Sequence, residues 1–363
     1  MYEQLIRPLL FRLDAESAHE LTLDWLSRSG RIRSATRLLS RLYGSHVPNL
    51  PVEIMGIHFP NPLGLAAGLD KDARAIHALS ALGFGFLELG TVTPRPQPGN
   101  AKPRLFRLPR HEAIINRMGF NSGGIRIFLD NVANSSKTVP LGINLGKNAV
   151  TPVEQAADDY VSGLKQLYLY ADYFTINISS PNTKNLRDLQ AGDALDGLLK
   201  RISDERLDLS KTFNRRVPIA VKIAPDVENG DIAHISSLLL KYDMDAVIAT
   251  NTTLSRHGVE DDPRAAETGG MSGAPLKDRA LEVTGLLYRE LQGKIAIIGA
   301  GGISTADDAW QRMLAGADLL QIYSAFIFRG PGVIADIVKG LDERVVQSGY
   351  ASLQEAVKAA RPG

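Results

Sequence analysis

Between Tyr173 and Thr183 the chain reads YFTINISSPNT, a strand pattern that turns into a polar loop. Alternate strand residues share a face, so Thr175, Asn177 and Ser179 point one way and Phe174, Ile176 and Ile178 the other. The first face offers hydrogen-bonding groups and the second packs. Ser180, Pro181 and Asn182 leave the strand at its C-terminal end, where parallel α/β folds hold their ligands. Amides and hydroxyls at this density suit a planar, polar, multiply hydrogen-bonded ligand better than a metal. Ser180 has no histidine or acid nearby in sequence to complete a triad, and alone it would read as the N-cap of a short helix.

Other strand ends carry similar groups. Asn144 shares a face with Gly142, and Lys222 with Ala220; a small residue two positions below a polar one leaves room for a ligand inside a barrel. Thr91, Asn177, Thr250 and Asn251 extend the ring, and Lys71 follows the first strand. Any one Asn or Thr reads as a turn cap, but a cap at every strand end is a poor account of the set. Lys222 admits three chemistries: a Schiff-base nucleophile, a phosphate partner, or a cation beside a ring nitrogen or carbonyl. The third suits an inward strand position among neutral amides. Gly299 to Asp308 (GAGGISTADD) follows the seventh strand and opens a helix, so its amides and the helix N-terminus favour an anion, with Ser304 and Asp307 as a capping box. Tyr323-Ser324 ends the eighth strand, and the loops after strands seven and eight of a barrel commonly hold phosphate.

The elements that would position these residues repeat regularly. Strand patterns at 63–67, 86–89, 141–145, 173–179, 219–224, 246–251, 295–299 and 319–323 alternate with helical patterns, among them 152–167, 231–241, 278–291, 305–315 and 331–346. Eight such units predict an α/β fold, a (β/α)8 TIM barrel with a small N-terminal helical extension. A doubly wound sheet would usually show a glycine fingerprint after its first strand, and GLAAG at Gly64 to Gly68 is not one. VEIMGIHFPNP, from Val52 to Pro62, predicts a hairpin turning at Gly56 that lids the barrel bottom. The insert from Thr93 to Asn116 is too long for a simple connection and is expected to be functional.

Residues 1–44 read as a helical membrane and quinone-tunnel domain, and 45–363 as the barrel. The first segment holds seven arginines, no lysine and five acids. Ala18, Leu21, Trp25 and Leu26 form one helical stripe with Asp14 or Ser17 as N-cap. Such a segment either docks on the barrel or lies on anionic lipid.

The chain has 363 residues, a net charge of +1 and a pI near 7.9, which gives no electrostatic footprint for nucleic acid. It has no cysteine, which removes disulfides, thiolate metal sites, cysteine nucleophiles and iron-sulfur ligation by this chain. Electrons, if moved, travel on an organic carrier. No signal peptide and no membrane-spanning run is expected from the sequence.

AAGLDK from Ala66, NRMGFNS from Asn116, NISSPNT from Asn177, ATNTT from Ala249, GAGGI from Gly299 and IYSAF from Ile322 together resemble the dihydroorotate dehydrogenase family, specifically its membrane-associated, quinone-reducing class 2. The resemblance implies FMN as cofactor, held by Ala67, Gly68, Thr91, Asn144, Asn177, Lys222, Thr250, Gly273, Gly302, Tyr323 and Ser324. It implies dihydroorotate held by Lys71, Asn116, Arg117, Met118, Gly119, Phe120, Asn177, Asn182, Asn251 and Thr252, with Ser180 as base. It also places His19 and Arg107 at the quinone end of a tunnel walled by Leu5, Leu9, Leu10, Leu21, Trp25 and Leu26. No metal and no partner subunit are implied. The expected location is peripheral, on the cytoplasmic face of the cell membrane in a bacterium. The soluble class has cysteine where this chain has Ser180. One departure is Ala73, where the family usually has glycine. Competing readings are another flavin barrel acting on a different pyrimidine or on dihydrouridine in RNA, a Schiff-base aldolase using Lys222, and a membrane-binding scaffold without catalysis.

Overall fold

The computed structural model describes residues 2–135, 137–190 and 192–361; the outermost residues of the two-part division, Met1 and 362–363, lie outside these. In chain order the strands are β1 (Val52–Ile54), β2 (Ile57–Phe59), β3 (Leu63–Leu65), β4 (Phe86–Val92), β5 (Leu105–Leu108), β6 (Ala113–Asn116), β7 (Leu141–Leu145), β8 (Tyr173–Asn177), β9 (Ile219–Ile223), β10 (Ala246–Ala249), β11 (Gly270–Gly273), β12 (Ala296–Ala300) and β13 (Leu319–Ile322). Eight of them, in the order β3-β4-β7-β8-β9-β10-β12-β13, close into a parallel barrel. Their Val, Ile and Leu side chains on the outer face are sealed by helices such as Ala156–Leu167, Asn229–Lys241 and Lys277–Leu291. The buried runs therefore lack the hydrophobic alternation of a half-exposed sheet.

The hairpin β1–β2 is antiparallel and turns through Met55 and Gly56, both at positive φ (56° and 72°), the requirement of a two-residue turn that matches strand twist. Phe59 packs edge-on against Phe86 at the first residue of β4, with ring centroids 5.2 Å apart, so the hairpin closes the N-terminal end of the barrel. The 93–116 insert is ordered. Strands β5 and β6 pair with each other and with β11, making a separate antiparallel sheet of three strands above the barrel mouth. Sequence patterning gave no sign of these short strands.

At the N-terminus, a tight helical turn (Tyr2–Ile6) leads into α1 (Arg7–Leu10), followed by α2 (Ala15–Gly30) and α3 (Arg33–Leu42). Asp14, not Ser17, caps α2, accepting from the Glu16 and Ser17 amides at 3.1 and 2.9 Å. The predicted stripe divides: Ala18 and Leu26 are buried with Leu23, whereas Leu21 and Trp25 are more than half exposed. Leu23 and Leu26 belong to the main core, so α2 docks by a slightly rotated face. It is pinned by a buried ion pair, with Arg104 Nη2 donating to Glu16 Oε1 at 2.7 Å. Burial opposes ionisation of Glu16, but hydrogen bonds from Arg104 and Lys102 outweigh it and lower its pKa. Glu16→Ala would leave Arg104 without a counter-charge, its contacts reduced to the Pro98 and Asn100 carbonyls. The expected cost is about 3 kcal/mol, measured by thermal unfolding, with earlier proteolysis between α2 and the insert sheet. An unchanged transition would show that the pair does not hold α2.

Candidate active site

The C-terminal ends of the barrel strands and the insert sheet enclose a polar cavity. Ala67, Gly68 and Lys71 border it after β3, Thr91 on β4, Asn177, Ser180 and Asn182 around β8, Lys222 on β9, and Thr250, Asn251 and Thr252 after β10. Gly302 comes from the loop after β12, Tyr323 and Ser324 from the end of β13, and Asn116, Met118, Gly119, Phe120 and Gly273 from the insert sheet and its following loop. Two of the residues named for this site do not border the cavity. Asn144 lies one layer below, fully buried, and Arg117 turns outward, pairing with Glu267 at 2.6 Å and stacking on Phe106.

The space below the strand-end amides is filled, contrary to the expectation from Gly142 and Ala220. A Cβ on Gly142 would strike the Tyr173 ring, and one on Gly64 the Phe86 ring. The small residues make room for aromatic side chains, so ligand space begins one layer higher. Sequence reasoning also missed Glu88. It sits inside the barrel on β4, hydrogen-bonded to Asn144, Tyr173, Thr175 and Gln321. A lone acid in the run FLELGTV has no sequence signal that distinguishes it from an exposed strand residue. Burial and the Glu88 charge push the Tyr173 phenol well above its ordinary pKa.

Lys222 is buried and opens into the cavity, with no hydrogen-bond partner among the described residues. Burial lowers its pKa, and the Glu88 carboxylate works against that shift. An unpaired buried cation calls for an acceptor or anion from a ligand. At the other end, Gly301 and Gly302 have φ of 100° and 71°, and a Cβ on Gly301 would lie 2.8 Å from Leu276 Cδ2. Only glycine lets this loop follow its course. Arg312, almost completely buried, holds the loop from behind through the Ala300 and Gly301 carbonyls at 3.1 and 2.8 Å. The capping box lies one residue beyond its expected place. Thr305 and Asp308 form it, and Asp308 also takes the Ser304 amide and hydroxyl, each at 3.0 Å. The Ser324 and Ser272 hydroxyls face each other at 2.8 Å beside this loop, and Ser272 is a cavity residue that sequence reading did not find.

On the opposite side, Ser180 is buried; its Oγ accepts from the Asn182 amide at 3.2 Å, and Asn182 Nδ2 donates to Asn116 Oδ1 at 3.1 Å. Lys71 Nζ donates to Asn121 Oδ1 at 2.6 Å. Ala73, the departure in this loop, has φ of 60°. That left-handed backbone favours glycine, and alanine costs about 1 kcal/mol there. Asp70 and Asp72 fix the loop despite the strain, accepting from the Arg74 and Ala75 amides and the Gly123 amide, each at 2.8 Å.

A second cavity, of about 480 Å³ and mostly apolar, lies between α1, α2, α3 and the helix Ser324–Arg329. Leu10, Leu21, Trp25 and Leu26 line it, but Leu5 and Leu9 do not and point outward, more than 60 % exposed. Tyr2, Ile6 and Leu10 recur every four residues on the inward side, which places Leu5 and Leu9 on the neighbouring face. Arg107 borders this cavity with its guanidinium turned to the carbonyls of Leu10, Phe11 and Leu13 and over the Phe11 ring. His19, Leu105 and Ile114 border both cavities. Burial, and then the Lys71 charge, lower the His19 pKa to about 4, so the imidazole is neutral at physiological pH.

A closed parallel barrel with amides at its mouth, an unpaired lysine and a glycine loop for an anion defines a barrel enzyme built around an organic cofactor. The family model described as dihydroorotate dehydrogenase matches residues 49–345. Relatives named dihydroorotate dehydrogenase (quinone) include one from Chromobacterium violaceum, 54% identical over 93% of this chain and 97% of its own. Another, from Idiomarina loihiensis, is 54% identical over 93% and 99%. The crystal structure of a DHODH from Eimeria tenella in complex with ferulenol superposes with a TM-score of 0.86 at 36% identity, covering 96% of each chain. This chain belongs to the dihydroorotate dehydrogenase family, whose members are flavoproteins.

Proposed function

We propose that this protein oxidises (S)-dihydroorotate to orotate in pyrimidine biosynthesis, using FMN and delivering the electrons to a membrane quinone. The observation that carries this reading is the pair of adjoining cavities, one polar and one apolar, that share His19, Leu105 and Ile114. Bound FMN supplies the two-electron acceptor that links the two substrates.

Lys222 fits a cation against the flavin ring, and the Gly301–Gly302 amides with Ser324 fit its phosphate. Asn116, Asn177, Asn182 and Asn251 offer donors and acceptors to a cyclic amide, and Lys71 balances its carboxylate. Ser180 Oγ takes the C5 proton as the C6 hydride departs, leaving the C5–C6 double bond of orotate. Residues 1–44 form the quinone and membrane part and 45–363 the catalytic barrel. Leu5, Leu9, Trp25, Ile32 and Leu38 are each more than half exposed, and Arg12, Arg28, Arg31, Arg33, Arg37 and Arg41 are exposed around them. This composition suits an anionic lipid surface. Among the described residues no helix is long and apolar enough to cross a membrane, which supports peripheral attachment. The chemistry requires neither a metal nor a partner subunit nor nucleic acid.

Anaerobic titration tests the whole reading. The purified protein should carry FMN, dihydroorotate should bleach it, and a long-tailed quinone should restore the colour. A protein that neither carries nor accepts FMN, or whose flavin dihydroorotate leaves oxidised, would refute the assignment. A pH series then tests Lys71. Burial, and next the Arg104 charge, lower its pKa to about 8, so the carboxylate partner is charged below that pH and neutral above it. KM for dihydroorotate should rise by up to about tenfold per pH unit above about pH 8. Lys71→Arg, which stays charged, should lose that dependence.

A further inference from the structure

Beneath the strand-end amides the barrel interior holds a carboxylate with no accessible surface, that of Glu88. Its Oε1 accepts from Asn144 Nδ2 at 2.8 Å; its Oε2 accepts from the Tyr173 hydroxyl at 3.0 Å, the Thr175 hydroxyl at 3.1 Å and Gln321 Nε2 at 2.7 Å. An ionised carboxylate can only accept, so each of these groups turns a donor toward it. The effect passes upward. With Nδ2 committed to Glu88, Asn144 presents Oδ1 to the layer above, where it accepts from the Thr91 hydroxyl at 2.6 Å and Asn177 Nδ2 at 3.1 Å. Asn177 therefore presents its own Oδ1, which accepts from the Ser179 hydroxyl at 3.0 Å and Asn251 Nδ2 at 3.3 Å. Three amides in series each take one of two orientations, and the acceptor-only group at the bottom selects which.

The same carboxylate is the one charge acting on Lys222. Desolvation favours a neutral amine at this buried position, so the ammonium needs a counter-charge within the barrel. Thr175, which donates to Glu88, pairs in register with Ala220, two residues below Lys222 on the same face of β9. The anion thus lies in the layer below the cation.

We propose that Glu88 is a positioning residue for the reaction, orienting the Asn144–Asn177–Asn251 amide series and serving as the buried counter-charge that keeps Lys222 cationic toward the flavin. This rests on the reading that the polar cavity holds FMN. A cation beside the ring stabilises the negative charge that reduction places there, so losing it makes the flavin harder to reduce.

Glu88→Gln keeps the shape and removes the charge. FMN affinity, measured by fluorescence titration of apoprotein, should weaken by about tenfold or more, the scale of one lost interaction with a charged group. The midpoint potential of the bound flavin should fall, and the visible band should shift. Glu88→Asp, which retains the charge, should hold the potential near wild type. Wild-type potential and affinity in E88Q overturn the proposal. A second readout needs no flavin: thermal unfolding of the apoproteins E88Q, K222M and E88Q/K222M. Each single variant strands one buried charge and should destabilise, while the double variant removes both and should recover stability relative to E88Q. It therefore also serves if E88Q alone does not fold. Strictly additive losses overturn the charge pairing. A wild-type protein that binds no FMN would count against the FMN reading, while the apoprotein cycle would still judge the pairing.

Discussion

Replacing Ser180 by alanine is expected to slow the reduction of bound flavin by dihydroorotate by about 10²- to 10⁴-fold, the usual contribution of a positioned base. Ser180 lies where β8 ends and its loop begins, with its Oγ held only by the Asn182 amide. It is buried, which limits the access of a water that could take over the proton. Losing the hydroxyl frees the Asn182 amide at a cost of about 1 kcal/mol, too little to unfold the loop or account for the rate. None of the proposed flavin contacts involves Ser180, so FMN should stay bound. Ser180→Cys should retain more activity than alanine, since a thiol can also take up a proton. Stopped-flow absorbance under anaerobic conditions makes the measurement. A wild-type trace from S180A would remove Ser180 from the role of base.

Deleting residues 1–44 should divide the reaction. The barrel, Ser180 and Lys222 remain, so dihydroorotate should still bleach the flavin. Turnover with a long-tailed quinone should fall by about 100-fold or more, the scale of losing the positioning of one reactant, because α1, α2 and α3 supply most of the apolar cavity wall. Arg104 loses Glu16 in this variant, but it also gains water and is not left as a buried lone charge. Membrane association should weaken in flotation with anionic vesicles. His19→Ala should give a milder form of the same phenotype without removing the helices. Because the His19 imidazole loses its proton near pH 4, quinone turnover should show no dependence on it between about pH 6 and pH 8. A truncated enzyme that keeps FMN and reduces the long-tailed quinone normally would show that the cavity is not the quinone path.

Periodicity located every barrel strand, because each is a short buried apolar run bounded by turn residues and separated from the next by a helix-length repeat. It also placed Asn177, Lys222 and Thr250 at strand ends, where alternation fixes the face a side chain takes. It did not detect β5, β6 and β11. These strands are short and rich in exceptions to strand propensity, and their pairing joins segments about 150 residues apart.

What the sequence determined by itself is therefore local and periodic: the barrel, the strand-end polar residues, the glycine loop and the Met55–Gly56 turn. Tertiary structure alone decided relations between side chains on different strands. Gly142 and Gly64 read as vacancies, yet Tyr173 and Phe86 fill them, because the barrel interior is packed from several strands at once. Leu5 and Leu9 belong to the same apolar group as Leu10, but a small difference in helical phase turns them outward while Leu10 meets the cavity. Glu88 is one acid among 40 Asp and Glu residues until four donors from three other strands converge on it. A linear pattern records which face a residue takes, whereas its partners and its charge environment depend on which strands closure brings together.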